Sequence, residues 1–165
     1  MFESNGPMLA ALAAAVGLES TTMACQTDDP ERFTATITAA AVAADLIITS
    51  GGVSMGSYEV VKSVLGEREG FEFRQVAMQP GKPQGFGRLD KAIVLNLPGN
   101  PVSATVSFMV FARPVIARLA GREPAEMFPA MAAMPLSEDV ERKAVRQFLR
   151  GNRDSGPGLV VPSPA

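Results

Sequence analysis

Histidine is absent and cysteine occurs once, as Cys25. An internal disulfide is therefore excluded, and so are Cys/His zinc sites and any catalysis that relies on an imidazole. Free cysteine usage of this kind leads us to expect a reducing, cytoplasmic setting. Excess positive charge is also missing: the formal net charge is −2. That argues against a broad basic face for nucleic acid or anionic lipid, and any anionic ligand must be gripped locally. The apolar run from Met8 to Leu18 is shorter than the roughly 20 residues needed to cross a bilayer, and Glu3 precedes it where a signal peptide would carry positive charge. No membrane or nucleic-acid partner is expected.

What is present is a globular composition. With 165 residues, 47% of them hydrophobic, the chain can build a sizeable core in one domain with a small appendage. Asn5-Gly6-Pro7 is a helix-start signal, followed by Leu9, Leu12 and Val16 at helical spacing and a stop at Gly17. Thr21 to Cys25 reads as a short strand. Asp29 then caps a helix with Pro30 at its first position and Phe33, Ile37, Ala40 and Ala44 on its buried face. Leu46 to Thr49 is an apolar, β-branched strand, and Tyr58 to Leu65 a helix closed by Gly66. Phe71 to Val76 is a strand, and Phe86 to Leu89 with Ala92 to Leu97 a hairpin turning at Asp90-Lys91. Asn100 and Pro101 open a long helix from Val102 to Ala120, expected to be largely buried and kinked at Pro114.

Strands alternating with helices at these intervals predict an α/β fold, a three-layer α/β/α sandwich around a mainly parallel sheet, with ligands at the carboxyl ends of the strands. The organisation expected is an α/β domain over 1–121, a Pro/Met/Ala-rich linker over 122–135 and an incomplete second domain over 136–165.

Three Gly/Pro loops fall at the strand ends. Thr49-Ser50-Gly51-Gly52-Val53-Ser54-Met55-Gly56 joins a strand to a helix, where backbone N–H groups and the helix dipole favour an anion. It lacks the lysine spacing of a P-loop, and a tight βα turn explains it equally well. Gln79-Pro80-Gly81-Lys82-Pro83 presents one cation, Lys82, on a stiff turn; a solvated turn lysine is the plain alternative. Pro98-Gly99-Asn100-Pro101 leads into Ser103, whose hydroxyl and neighbouring amides suit a phosphate, although the prolines also suit a purely structural helix entry. Glu3 and Glu59 are the carboxylates best placed to hold Mg²⁺ at the same strand ends, although exposed glutamates at helix starts are commonplace and are the plainer reading of the residues alone. Lys62 and Arg74 read as exposed charges, and the nine methionines as core filler.

Taken together and in order, Glu3-Ser4-Asn5 before a helix, TSGGVSMG at 49–56, VAMQPGKPQGFG at 76–87 and LPGNPVSA at 97–104 resemble the molybdopterin molybdenumtransferase family. The similarity runs from about Phe2 to Gly121, and the segment from Arg142 to Pro162 is similar to the start of that family's C-terminal β-barrel domain. The resemblance implies molybdenum cofactor biosynthesis: Mg²⁺-dependent insertion of molybdate into adenylylated molybdopterin, with release of AMP, by a homodimer when full length. It implies that Ser4, Asn5, Thr49, Ser50, Gly51, Gly52, Val53, Ser54 and Gly56 line the nucleotide and pterin side. Pro80, Gly81, Lys82 and Pro83, with Pro98, Gly99, Asn100, Pro101 and Ser103, would complete the pocket. Glu3, Glu59 and Lys82 would act in catalysis, the two glutamates with the metal.

The chain departs from the family pattern in four places. Glu3 and Glu59 stand where aspartates are common, Gln79 where many members carry lysine, and Ser57 where an acidic residue is frequent. The family's domain also begins with a strand ending in a TGDE-like motif, so the sequence reads as a fragment lacking its first strand, not expected to be active alone. A MogA-type molybdopterin adenylyltransferase and a non-catalytic scaffold are the competing readings. Over 140–149, helical spacing of Val140, Ala144, Val145, Phe148 and Leu149 competes with the strand that the resemblance implies, and the strand is preferred.

Overall fold

The computed structural model describes residues 3–23, 25, 28–53, 60–125, 131–132, 145–149, 151–153 and 159–162. Helix α1 spans Asn5–Ala15; Gly17, at φ 82°, closes it by letting the Leu18 amide reach back to the Ala13 carbonyl. Only glycine adopts that conformation without a steric cost, which is why the helix stops there. Helix α2 spans Pro30–Ala43, with the Asp29 carboxylate accepting from the Glu31 and Arg32 amides. Its buried stripe is Phe33, Ile37 and Ala41, so the third member is Ala41 rather than the expected Ala40. Strand β1 spans Leu46–Ser50 and helix α3 Val60–Leu65; Tyr58 and Glu59 lie outside the described residues.

Strands β2 (Glu72–Gln75), β3 (Met78–Gln79), β4 (Pro83–Leu89) and β5 (Ala92–Leu97) follow. The main sheet has the order β1-β5-β4-β2. Its β1–β5 pairing is parallel, whereas β5–β4 and β4–β2 are antiparallel. The α/β class therefore holds, but the sheet is mixed rather than mainly parallel. The cause is local: the turn at Asp90-Lys91 pairs Leu89 with Ala92 and sends β5 back along β4, with Asp90 at φ 53°, as two-residue hairpins require. The strand expected over Thr21 to Cys25 does not form in its described residues. Thr21, Thr22 and Met23 are exposed and pair with no neighbour; β-propensity expresses itself only where a strand edge accepts it.

Alternation along β1 and β5 divides the core into two layers. Ala92 and Val94 point with Ile47 towards α2 and α3, joining Phe33, Ile37, Ala41, Val61 and Leu65. Ile93, Leu95 and Leu97 point with Leu46 and Ile48 to the opposite face, where Phe108, Ala112 and Ile116 pack with Leu9 and Leu12 of α1. Helices on both faces of the sheet make the expected three layers.

The last long helix consists of α4 (Pro101–Ser107), a π-helical turn (Phe108–Ala112) and α5 (Arg113–Leu119), and Gly121 at φ 67° ends it. A π turn just before Pro114 takes the place of a simple kink: it is one way a helix absorbs a residue without an N–H. By length and composition this helix could cross a membrane, unlike the shorter run at Met8 to Leu18. Here Ser107, Phe108, Ala112 and Ile116 lie against the sheet while Val102, Met109 and Leu119 are exposed. It is thus buried along one stripe rather than largely buried, because only one of its sides meets a sheet.

Beyond α5, β6 (Met131–Ala132), β8 (Gly151–Arg153) and β9 (Leu159–Pro162) form a small sheet, and β7 (Arg146–Gln147) pairs in parallel with β3. Arg146–Gln147 is strand, as the resemblance implied; Val140 and Ala144 lie outside the described residues.

Candidate functional site

Strand directions bring the three loops to one end of the sheet. Because β1 and β5 are parallel and Ser50 is in register with Leu97, the loops that follow both strands start side by side. Because β4 is antiparallel to β5, with Gly85 opposite Asn96, the residues preceding Pro83 emerge at that same end. This is the carboxyl end of β1 and β5, where open α/β sheets bind ligands.

The first and third loops touch directly. The Gly51 amide donates to the Leu97 carbonyl at 2.9 Å. A Cβ on Gly99 would lie 3.3 Å from Gly51 Cα, and one on Gly52 would lie 2.4 Å from a Val61 methyl carbon. Gly51 and Gly52 have φ of 92° and 70°, so side chains are disfavoured by conformation at both and excluded by space at Gly52. Asn5, in the first turn of α1, closes the arrangement. Its Nδ2 donates to Ser50 Oγ and to the Gly99 carbonyl, each at 2.7 Å, while Ser50 Oγ donates to the Pro98 carbonyl at 3.3 Å. Asn5 and Ser50 thus clamp the two loops to each other. Asn5 Oδ1 is buried without a hydrogen-bond partner among the described residues, a free acceptor at the seam.

The third loop enters α4 through Asn100, whose Oδ1 accepts from the Ser103 amide at 3.1 Å and lies 3.4 Å from its hydroxyl. Pro101 has no N–H and Ser103 is capped, so the Val102 amide is the first-turn donor left for a ligand or water. Gly99, Asn100, Pro101 and Val102 are exposed, whereas Pro98 and Ser103 are buried.

In the second loop Gly81 has φ 100° and Lys82 is exposed. The ion pairs among the described residues are Arg74–Glu72 and Arg118–Glu123, so Lys82 has no carboxylate partner in that set. Both bridges are exposed, a setting in which such pairs contribute little.

Of the expected site residues, Ser4, Asn5, Thr49, Ser50, Gly51, Gly52, Pro80 to Pro83, Pro98 to Pro101 and Ser103 share this end. The Val53 side chain is packed in the α2/α3 core, so only its backbone faces the loop. Ser54, Gly56, Ser57 and Glu59 lie outside the described residues. Glu3 stands at the mouth of α1, its Oε1 and Oε2 accepting from the Gly6 amide at 2.9 and 3.1 Å. It therefore caps a helix in place of Ser4, whose side chain makes no capping bond. No three acidic or cysteine side chains among the described residues converge on a metal position; Mg²⁺ is usually held by one or two carboxylates together with substrate phosphates, and Glu3 places one carboxylate at this end. A depression of about 380 Å³ over the first turn of α2 is lined by Pro30, Glu31, Thr34 and Ala35, none of which belongs to the three loops.

Sequence reasoning passed over three buried polar residues at this end. Asn96, in the apolar run of β5, accepts from Thr49 Oγ1 at 2.7 Å, and its Nδ2 has no partner among the described residues. Gln84 and Ser107 bond each other beneath the second loop. The available signal was a polar residue inside an otherwise apolar strand or helix stripe, which is seldom buried without a hydrogen-bonding reason. The tail contributes as well: the Arg146 amide donates to the Ala77 carbonyl at 2.9 Å and the Phe148 amide to the Gln79 carbonyl at 2.8 Å.

These features define an α/β domain with a clamped, glycine-rich ligand end carrying Lys82, which has no carboxylate partner among the described residues. Residues 1–118 match the family described as "Probable molybdopterin binding domain", and the chain belongs to that family. It is 44% identical over 167 residues to molybdopterin molybdenumtransferase 2 of Mycobacterium tuberculosis, covering 98% of this chain and 41% of that protein. It is 42% identical over 118 residues to the molybdopterin molybdenumtransferase of Haemophilus influenzae, covering 70% of this chain and 29% of that one. Among solved structures, the molybdopterin biosynthesis MoeA protein of Pyrococcus horikosii superposes over 100% of this chain and 39% of its own, with a TM-score of 0.77 and 29% identity. The tungsten cofactor synthesizing protein MoaB of Pyrococcus furiosus, at 16% identity and a TM-score of 0.54 over 73% of this chain and 86% of its own, shares the fold alone. The chain spans about two-fifths of the length of the first of these curated relatives.

Proposed function

We propose that this chain is the molybdopterin-binding part of a molybdopterin molybdenumtransferase, which accepts adenylylated molybdopterin and inserts molybdate as AMP is released. The observation that carries the reading is the convergence of Gly51-Gly52, Lys82 and Gly99-Asn100 at one strand end in a member of this family. The names of the relatives support it.

The reading assigns roles by chemistry. Backbone amides at Gly52 and Val102 suit the substrate's phosphate, since amides at helix and strand ends favour anions. The Lys82 ammonium suits the second anion, molybdate, because an unpaired cation on a stiff turn loses little entropy on meeting it. Asn5 and Ser50 hold the loops in place. The proposed Mg²⁺ would neutralise oxyanion charge. Glu3 and Glu59 are its proposed ligands, two carboxylates being enough when substrate phosphate completes the coordination. A homodimer in the cytoplasm completes the proposal.

The test is AMP release by the full-length protein given molybdopterin adenylate, Mg²⁺ and molybdate. Release that depends on molybdate is expected. Release indifferent to molybdate, or none, would overturn the reading, and ATP-dependent adenylylation of molybdopterin would replace it with the adenylyltransferase.

A further inference from the structure

We propose that Gln84 is a positioning residue for Lys82: a buried amide that keys the lysine's loop to the helix carrying the third loop. The inference deepens the proposed function and rests on its assignment of Lys82 to an oxyanion.

Gln84 lies on β4, one residue past Pro83, and is 7% exposed. A buried amide is costly unless its donors are satisfied, and both N–H groups of Gln84 are placed. Nε2 donates to the Gly81 carbonyl at 2.7 Å and to Ser107 Oγ at 2.6 Å. Ser107 is fully buried on α4, one helical turn beyond Ser103, so the two serines share a face. Helix α4 begins at Pro101, directly after Gly99 and Asn100. A hydrogen-bonded path therefore leads from the turn before Lys82 to the helix whose first turn forms the third loop.

On the other side of the lysine, the Lys82 carbonyl accepts from the Val76 amide at 2.8 Å. The carbonyl preceding Lys82 and its own carbonyl are thus both held, one by a side chain and one by the backbone. With the peptide groups on both sides fixed, the Cα–Cβ direction of Lys82 is fixed, and only its side-chain torsions remain free. Gly81 cannot substitute for this restraint by packing: its φ of 100° suits glycine, and a Cβ there would lie 3.0 Å from Ser107 Oγ. Methionine at 84 would match the volume but make neither bond, leaving Gly81 free to turn.

The experiment uses the full-length protein with Gln84→Met, Ser107→Ala and their double variant, and with Lys82→Ala alone and combined with Gln84→Met. Hydrogen exchange without ligand is read at the Val76 amide, which donates to the Lys82 carbonyl, and KM for molybdate and kcat in AMP release. Gln84→Met and Ser107→Ala should each speed exchange at that amide while β1 and β5 stay protected. Each should raise KM for molybdate on the order of 3- to 10-fold, the range one hydrogen bond supports, with kcat nearly unchanged. The double variant should be little worse than Gln84→Met, and Gln84→Met should add nothing once Lys82 is alanine. Unchanged exchange at Val76, equal acceleration through both core layers, or full additivity with Lys82→Ala would each overturn the proposal. If Gln84→Met does not fold, Ser107→Ala decides by the same criteria. If Lys82→Ala leaves KM unchanged, the lysine's assignment to molybdate falls, and the exchange data still decide whether Gln84 holds the loop.

Discussion

At the scale of single residues, the glycines show how a shared sequence signal hides different constraints. Gly17 and Gly52 both have positive φ, 82° and 70°, yet a Cβ on Gly17 would meet nothing within 4 Å, whereas one on Gly52 would overlap Val61. Gly17→Ala should therefore cost only the left-handed backbone penalty, about 1 kcal/mol. Gly52→Ala should cost that and overpacking against a buried valine, about 2–4 kcal/mol in all. Denaturant unfolding of the two variants checks the difference, and equal losses would refute it. From the sequence, Gly52 was legible as a turn glycine but not as a packing glycine, because its neighbour comes from a helix that folds back over it. The same holds for Asn5. Its place before Pro7 marks a helix start, but its partners Ser50 and Gly99 are 45 and 94 residues away, so its clamping role was out of reach of any local pattern.

Elements were more legible than their arrangement. Asp29-Pro30 and Asn100-Pro101 announced their helices, because capping and a preset proline φ are properties of adjacent residues. The sheet order was not legible, since pairing depends on which edges are left open; alternation of strands and helices overstated the parallel pairs, and the hairpin made the sheet mixed. The cap at Asn100 also separates stability from binding. Asn100→Ala removes the acceptor for the Ser103 amide and should cost about 0.5–2 kcal/mol. Asn100→Asp keeps an acceptor there and suits the helix dipole, so its melting temperature should stay near that of the parent. It adds a negative charge beside the proposed anion site, and its affinity for molybdate should fall. Thermal melting and molybdate KM of the two variants provide the check; an Asn100→Asp protein with unchanged KM would place the anion elsewhere.

At the scale of the whole molecule, the question is what the residues beyond α5 do for those before it. Both core layers draw their described members from residues up to Ile116, which supports the proposed domain over 1–121. Yet β7 pairs with β3, and the Arg146 and Phe148 amides donate to the Ala77 and Gln79 carbonyls, immediately before Pro80 and Lys82. The two regions should therefore separate in stability but not in function. A chain ended after Gly121 should keep its far-ultraviolet dichroism and a cooperative melt, because no described core contact is lost. Its peptide 76–83 should exchange faster than in the parent, because the strand that covers β3 is gone and local opening tracks lost hydrogen bonds. The Gln84 amide and the Val76 amide would remain to hold Gly81 and Lys82, so acceleration should be greatest at Gln79, which pairs with β7, and smaller at Val76. Loss of the cooperative melt would show that the tail belongs to the core of the domain. Unchanged exchange at Gln79 would show that β7 contributes nothing to the wall of the second loop.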